Sequence, residues 1–194
     1  MQARLPCHAN GNTPIVATTA TLRGGTPMQS VCQTLGLQDG KYHFIRCSKL
    51  CHDIQIIFQN MRSRIKSVNF PELDWVLTDG HQIIIFCATI ALGFCVVAYL
   101  WRVAKHNGFQ NREQHIRMYN SLNWPSYNSE TLDFLNNNEH AQVTVATETL
   151  SVGINSPAQT VVQYGLPSTV EDGVQKTGRI RKACPNSRGI IYLP

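Results

Sequence analysis

Seven cysteines and seven histidines are the side chains of this sequence best suited to chemistry, as metal ligands, nucleophiles or proton carriers. Cys47 and Cys51 stand one helical turn apart with His52 beside them, a spacing from which two thiolates and an imidazole could converge on zinc. A zinc finger or ribbon pairs two elements of the CxxC kind, which this chain lacks, so no metal ligand is assigned. Cys7, Cys32, Cys47 and Cys51 all lie in the N-terminal part. In an oxidising compartment they allow two disulfides in any of three connectivities, and in a reducing one they stay thiols. The histidines are scattered, and there is no GxSxG elbow, phosphate-binding glycine loop, HExxH helix or paired carboxylates. No catalytic residue and no cofactor is assigned, and the chain reads as a non-enzyme.

The element that would position everything else is the apolar run Ile83 to Trp101, IIIFCATIALGFCVVAYLW, which carries no charge and no proline. At about 1.5 Å per residue it covers roughly 28 Å as a helix, close to the hydrocarbon thickness of a bilayer. The pattern predicts a transmembrane helix over 81–103, with Asp79 and Gln82 as a capping box and Asn107-Gly108 as its stop. Tyr99 and Trp101 fall where an interfacial aromatic belt is expected, with Arg102 and Lys105 placed to snorkel outward. Acidic Glu72, Asp74 and Asp79 precede the run and basic Arg102, Lys105 and Arg112 follow it. The positive-inside tendency then puts the N-terminus outside and the C-terminus in the cytoplasm. Within the run, Cys87, Ala91 and Cys95 recur every fourth residue, as do Thr89 and Gly93, and small residues one turn apart let two helices approach closely.

Around this span the chain divides into a flexible arm (1–40), an amphipathic helical segment (41–70), a connector (71–80) and a polar, largely irregular tail (104–194). Apolar residues from Cys47 through Ile54, Ile57, Phe58, Met61 and Ile65 to Val68 recur at spacings of three and four, one stripe of a basic amphipathic helix. Asn69-Phe70-Pro71 would break it. In the tail, Tyr119-Asn120-Ser121-Leu122 resembles the tyrosine-based sorting signal, a tyrosine followed by two residues and a bulky aliphatic one at Leu122. Asn123 to His140 is asparagine-rich and reads as loop, while 142–152 and Thr160 to Gln163 give two weak strand signals. Lys176, Arg179, Arg181, Lys182 and Arg188 form a basic terminus without acids.

The whole is expected to be a mainly α membrane protein: one transmembrane helix, one amphipathic helix, and an irregular, weakly β tail. The net charge of +5 is spread out and has no aromatic interleaving, so nucleic acid is not an expected partner. The expected partners are the lipid bilayer, a membrane or cytoplasmic protein, and a second copy of the chain. The expected role is a single-pass anchor that recruits or assembles proteins at a membrane whose organelle the sequence does not specify, with the mitochondrial inner membrane or a virus-infected host membrane as alternatives. In architecture the span, its adjacent basic residues and the amphipathic stripe are similar to the small fusion-associated or pore-forming proteins of viruses. That resemblance implies a membrane-perturbing oligomer as the alternative, beside an accessory subunit of a larger membrane complex.

Overall fold

Ile83-Ile84-Ile85 is a run of β-branched residues, which fit a pleated strand better than a helix turn. In the computed structural model, which describes residues 16–18, 24–38, 40–45, 54–138, 140–151, 157–178, 180 and 187–194, these residues begin a strand. The chain forms two units, 1–50 and 51–194.

In the first unit the described residues form one helix, α1 (Thr26–Leu35), with Pro27 in its first turn. Gly36 closes it at φ 69°, a left-handed backbone that glycine adopts without penalty. Cys32 is a free thiol 3.7 Å from the Tyr42 hydroxyl. Of the other candidate disulfide residues, Cys7, Cys47 and Cys51 lie outside the described residues.

The second unit is an α/β fold. Its strands are β1 (Gln55–Asn60), β2 (Ile83–Cys87), β3 (Ile116–Tyr119), β4 (Val143–Ala146), β5 (Thr160–Tyr164) and β6 (Arg188–Leu193). They make one sheet in the order β1-β6-β5-β2-β4-β3, every neighbouring pair parallel. The helices are α2 (Ile90–His106), α3 (Pro125–Asn137) and α4 (Val170–Thr177). One face of the sheet, bearing Ile83, Ile85 and Cys87, is covered by α2 and by a 3-10 helix at Pro71–Leu77. The other, bearing Ile84 and Phe86, packs against Leu135 of α3 and Ile180 just beyond α4. Each of these β2 side chains is essentially inaccessible, worth about 1.5–3 kcal/mol apiece for the larger ones.

These elements correct the membrane reading. The apolar run is not one helix: β2 ends at Cys87, Ala88 bridges, and Thr89 caps α2, its hydroxyl accepting from Leu92 N at 3.1 Å. The run is apolar throughout because β2 is buried on both faces between β4 and β5, and because α2 lies along the sheet with Leu92, Val96, Leu100 and Ala104 inward. Among the described residues no helix is long and apolar enough to cross a membrane. Asp79 caps no helix; it pairs with Arg188 at the start of β6. α2 does stop at Asn107, followed by Gly108 at φ 81°.

The amphipathic helix over 41–70 is likewise overturned where the residues are described. Residues 55–60 are the edge strand β1, and the helical spacing of Ile54, Ile57, Phe58 and Met61 runs from the residue before that strand to the residue after it. Residues 71–77, expected as connector, are a 3-10 helix that buries Leu73, Val76 and Leu77. The asparagine-rich stretch expected as loop is α3, started by Pro125 and seated by Thr131, Phe134 and Leu135. The 142–152 stretch contributes β4, Thr160 to Gln163 begins β5, and Arg188 opens β6.

Candidate functional site

In an open parallel sheet, ligands bind beyond the carboxyl ends of the strands, where successive crossovers leave to opposite sides. Here β2 hands the chain to α2 on one face and β5 hands it to α4 on the other, and β2 and β5 are neighbours. The loops along this edge therefore form a row: 165–169 after β5, Ala88-Thr89 after β2, Thr147-Glu148 after β4, and 120–124 after β3.

The β3 loop is built by three asparagines. Asn120, with 0% exposure, accepts from Leu122 N at 2.8 Å and Asn123 N at 3.1 Å, an Asx turn that fixes the chain as it leaves the strand. Asn123 donates to Met118 O at 2.8 Å, and Asn128, in the first turn of α3, donates to Asn120 O at 2.8 Å. Thr147 N donates to Tyr119 O at 3.3 Å and so joins the ends of β4 and β3.

The N-termini of α2 and α3 both face this edge. Their first amides lack intrahelical partners and carry the positive end of the helix dipole. Neither Ala88-Thr89 nor 120–128 contains an acidic residue, so the loops after β2 and β3 favour an anion; between them, Glu148 in the loop after β4 is paired with Lys176 at 3.4 Å. The β5 half differs. There Lys176 of α4, 5% exposed, pairs with Asp172 at 2.8 Å and Glu148 at 3.4 Å, tying α4 to the loop after β4.

Under the carboxyl ends of β5 and β6, Glu72 is buried. Its Oε1 accepts from the Ser63 hydroxyl at 2.6 Å, from Ser63 N at 3.3 Å and from the Tyr164 hydroxyl, while Tyr192 donates to its carbonyl at 2.9 Å. Burial pushes the Glu72 carboxyl up, but the hydrogen bonds from Ser63 and Tyr164 outweigh it and hold the group below its ordinary value. Tyr164 is pushed up by burial and by its bond to the same carboxylate.

The residues singled out in the sequence are dispersed by this fold. Ile83 begins β2 and Trp101 sits half-buried on α2, its indole donating to Ile116 O at 3.3 Å. Cys87 is buried at the end of β2, its thiol pushed up to about 12 by burial, while Ala91 and Cys95 are exposed on α2. Gly93 has a packing role: a Cβ there would lie 2.6 Å from the Met118 methyl, so its lack of a side chain lets α2 approach β3. Tyr119 ends β3 and Leu122 is exposed in the Asn120 loop. Of the basic tail, Lys176 and Arg188 are in ion pairs, and Arg179, Arg181 and Lys182 lie outside the described residues. The sequence reading missed Thr89 as a cap, the Asn120–Asn123–Asn128 set and Trp124 beside it. Asparagines at 120, 123 and 128 after an apolar stretch were the available turn signal.

Residues 69–183 match a protein-family model described as the helicase conserved C-terminal domain. No curated protein matches the sequence significantly. Among solved structures, the Lhr helicase of Mycobacterium smegmatis, bound to ssDNA and AMP-PNP, superposes with a TM-score of 0.59 at 21% identity over 72% of this chain. The C-terminal domain of the DEAD-box protein Dbp5 gives 0.51 at 17% over 72% of this chain and 76% of its own. Domain 2 of the DEAD-box helicase Mss116p, bound to an RNA duplex, gives 0.54 at 16%, again over 72% of this chain and 54% of its own. The chain spans 19% of the length of Lhr.

Proposed function

Because this chain belongs to the helicase conserved C-terminal domain family, we propose that it is the part of an ATP-driven helicase that grips a nucleic-acid strand at the β2–β4–β3 end of its sheet. Membership corrects three expectations. The chain is of an enzyme family and not a non-enzyme, its family acts on nucleic acid, and a membrane anchor is replaced by a parallel α/β domain with no membrane-spanning helix among the described residues.

The observation that carries the proposal is the pair of acid-free loops at Thr89 and Asn120, each opening a helix N-terminus at the carboxyl edge, with Glu148 between them paired with Lys176. A sugar-phosphate backbone laid along that edge meets first-turn amides that lack intrahelical partners and the exposed Thr89 hydroxyl, groups that position a strand without reading its sequence, while buried Asn120 holds its loop in place. Neighbouring strands are about 4.8 Å apart, so the loops after β2 and β3 are separated by roughly 10 Å. The sequence holds no GxxxxGK[ST] loop to cradle ATP phosphates. In this reading the nucleotide chemistry is completed by residues outside this chain.

Fluorescence anisotropy of a short labelled oligo(dT) with the purified chain tests the reading. The expected result is saturable binding whose log Kd rises linearly with log salt, as counterion release requires. Absence of binding at low salt, or binding unaltered when Thr89 and Asn120 are both replaced by alanine in a folded chain, would overturn it.

A further inference from the structure

Trp124 differs from the other two tryptophans of the chain. The indole of Trp75 donates to the Tyr192 hydroxyl at 3.1 Å and that of Trp101 to Ile116 O. The indole of Trp124 makes no hydrogen bond among the described residues, and the side chain is 81% exposed. Its backbone is nonetheless fixed. Trp124 is the N-cap of α3, Pro125 follows at the first helical position, and Asn128 N donates to its carbonyl at 3.1 Å. The preceding residues are held by the buried Asn120 turn. An aromatic ring on a rigid loop has lost most of its ordering entropy before it meets a ligand.

We propose that Trp124 is a stacking platform for an unpaired nucleobase of the strand whose phosphates follow the carboxyl edge, with exposed Leu122 as the apolar flank of the same stop. The inference rests on the nucleic-acid reading above and adds what the base, as opposed to the phosphate, touches. Three features favour a base over a protein surface. The amides of Ser126 and Tyr127 fall in the first turn of α3, where helix N–H groups lack intrahelical partners, so ring and phosphate site sit side by side. No acid occurs from Asn120 to Asn128. The apolar exposure is two side chains among Asn and Ser, far short of the contiguous patch a protein partner needs. Stacking on an indole is tolerant of base identity, so the contact would hold a strand without selecting a sequence.

The test compares oligo(dT) with an abasic strand of equal length, which keeps the phosphates and removes the bases. Wild type is expected to prefer oligo(dT). Trp124→Ala should weaken oligo(dT) binding roughly 5- to 100-fold and leave the abasic strand unchanged. Trp124→Phe should keep most of the affinity while abolishing the quenching of tryptophan fluorescence on binding. Circular dichroism melts confirm that each variant is folded. If Trp124→Ala binds both strands like wild type, or weakens both equally, stacking is wrong while the edge remains the binding site. If wild type binds neither strand, the interface reading itself fails.

Discussion

Alanine at position 189 puts the seating of α4 to a direct test. A Cβ on Gly189 would lie 2.3 Å from the Thr177 methyl, and ordinary contact begins at 3.4 Å, so the methyl must retreat by about 1.1 Å. It cannot do so by rotating freely, because the Thr177 hydroxyl donates to Gly173 O at 2.8 Å and fixes the side chain. Alanine is favoured over glycine in a strand by about 0.5–1 kcal/mol, but overpacking a buried contact costs about 1–3 kcal/mol. A contact as short as 2.3 Å puts the cost in the upper part of that range, about 2–3 kcal/mol, so the net loss is about 1–2.5 kcal/mol and Gly189→Ala should lower Tm by about 2–10 °C in a chain of this size. Thr177→Ser removes the methyl and keeps the hydroxyl bond. Adding it to Gly189→Ala should restore at least half of the loss, giving a coupling energy above about 1 kcal/mol in a double-mutant cycle followed by thermal or urea melts. A Gly189→Ala protein that melts with wild type, or a coupling energy within about 0.5 kcal/mol of zero, would refute the close approach of α4 to β6.

Glu72 supplies a pH prediction: its folded value lies below its ordinary 4.5, so its contribution is fully present above that value and is lost as pH falls through the folded one. Glu72→Gln should cost about 1–3 kcal/mol at neutral pH, and its melting temperature should fall less steeply than that of wild type from about pH 5 to 3. Thiol accessibility separates Cys87 from Cys95: maleimide labelling of the native chain, mapped by peptide mass, should modify exposed Cys95 and spare Cys87, whose thiol is buried and pushed up to about 12. Asn120→Leu should destabilise the chain by about 1–3 kcal/mol through unpaired turn amides and weaken oligo(dT) binding; unchanged stability would show that the asparagine set does not hold the loop.

The sequence carried more of this fold than the membrane reading extracted. Three consecutive isoleucines followed by Phe86 are a strand signal, and Thr89 ahead of an apolar stripe is a helix cap. Both were absorbed into one long run because a central strand of a parallel sheet and the helix after it are apolar without a break. α3 was illegible for the opposite reason: it is seated by little more than Thr131, Phe134 and Leu135, and its asparagines mask the period. β1 imitates a helix face because, as an edge strand with Ile56 and Phe58 exposed, it lacks a clean alternation. The site was harder still. Nothing local marks Thr89, Asn120 and Thr147 as neighbours, since only the order β2-β4-β3 brings their loops to one edge. The exposure of Trp124 is a property of the folded loop.

The position of β1 sets a folding order. Its ladder is with β6, Gln55 opposite Arg188 and Asn60 opposite Leu193, so it pairs with the strand furthest from it in sequence. β3 and β4, or β5 and β6, can join after closing one crossover, whereas β1 closes the longest loop of any strand pair in the sheet to reach β6. The entropy of closing so long a loop is recovered only when that pair forms. During synthesis the segment QIIFQN therefore remains an unpaired apolar strand for longer than any other, and this is the stage at which the chain is most exposed to pairing with the wrong partner.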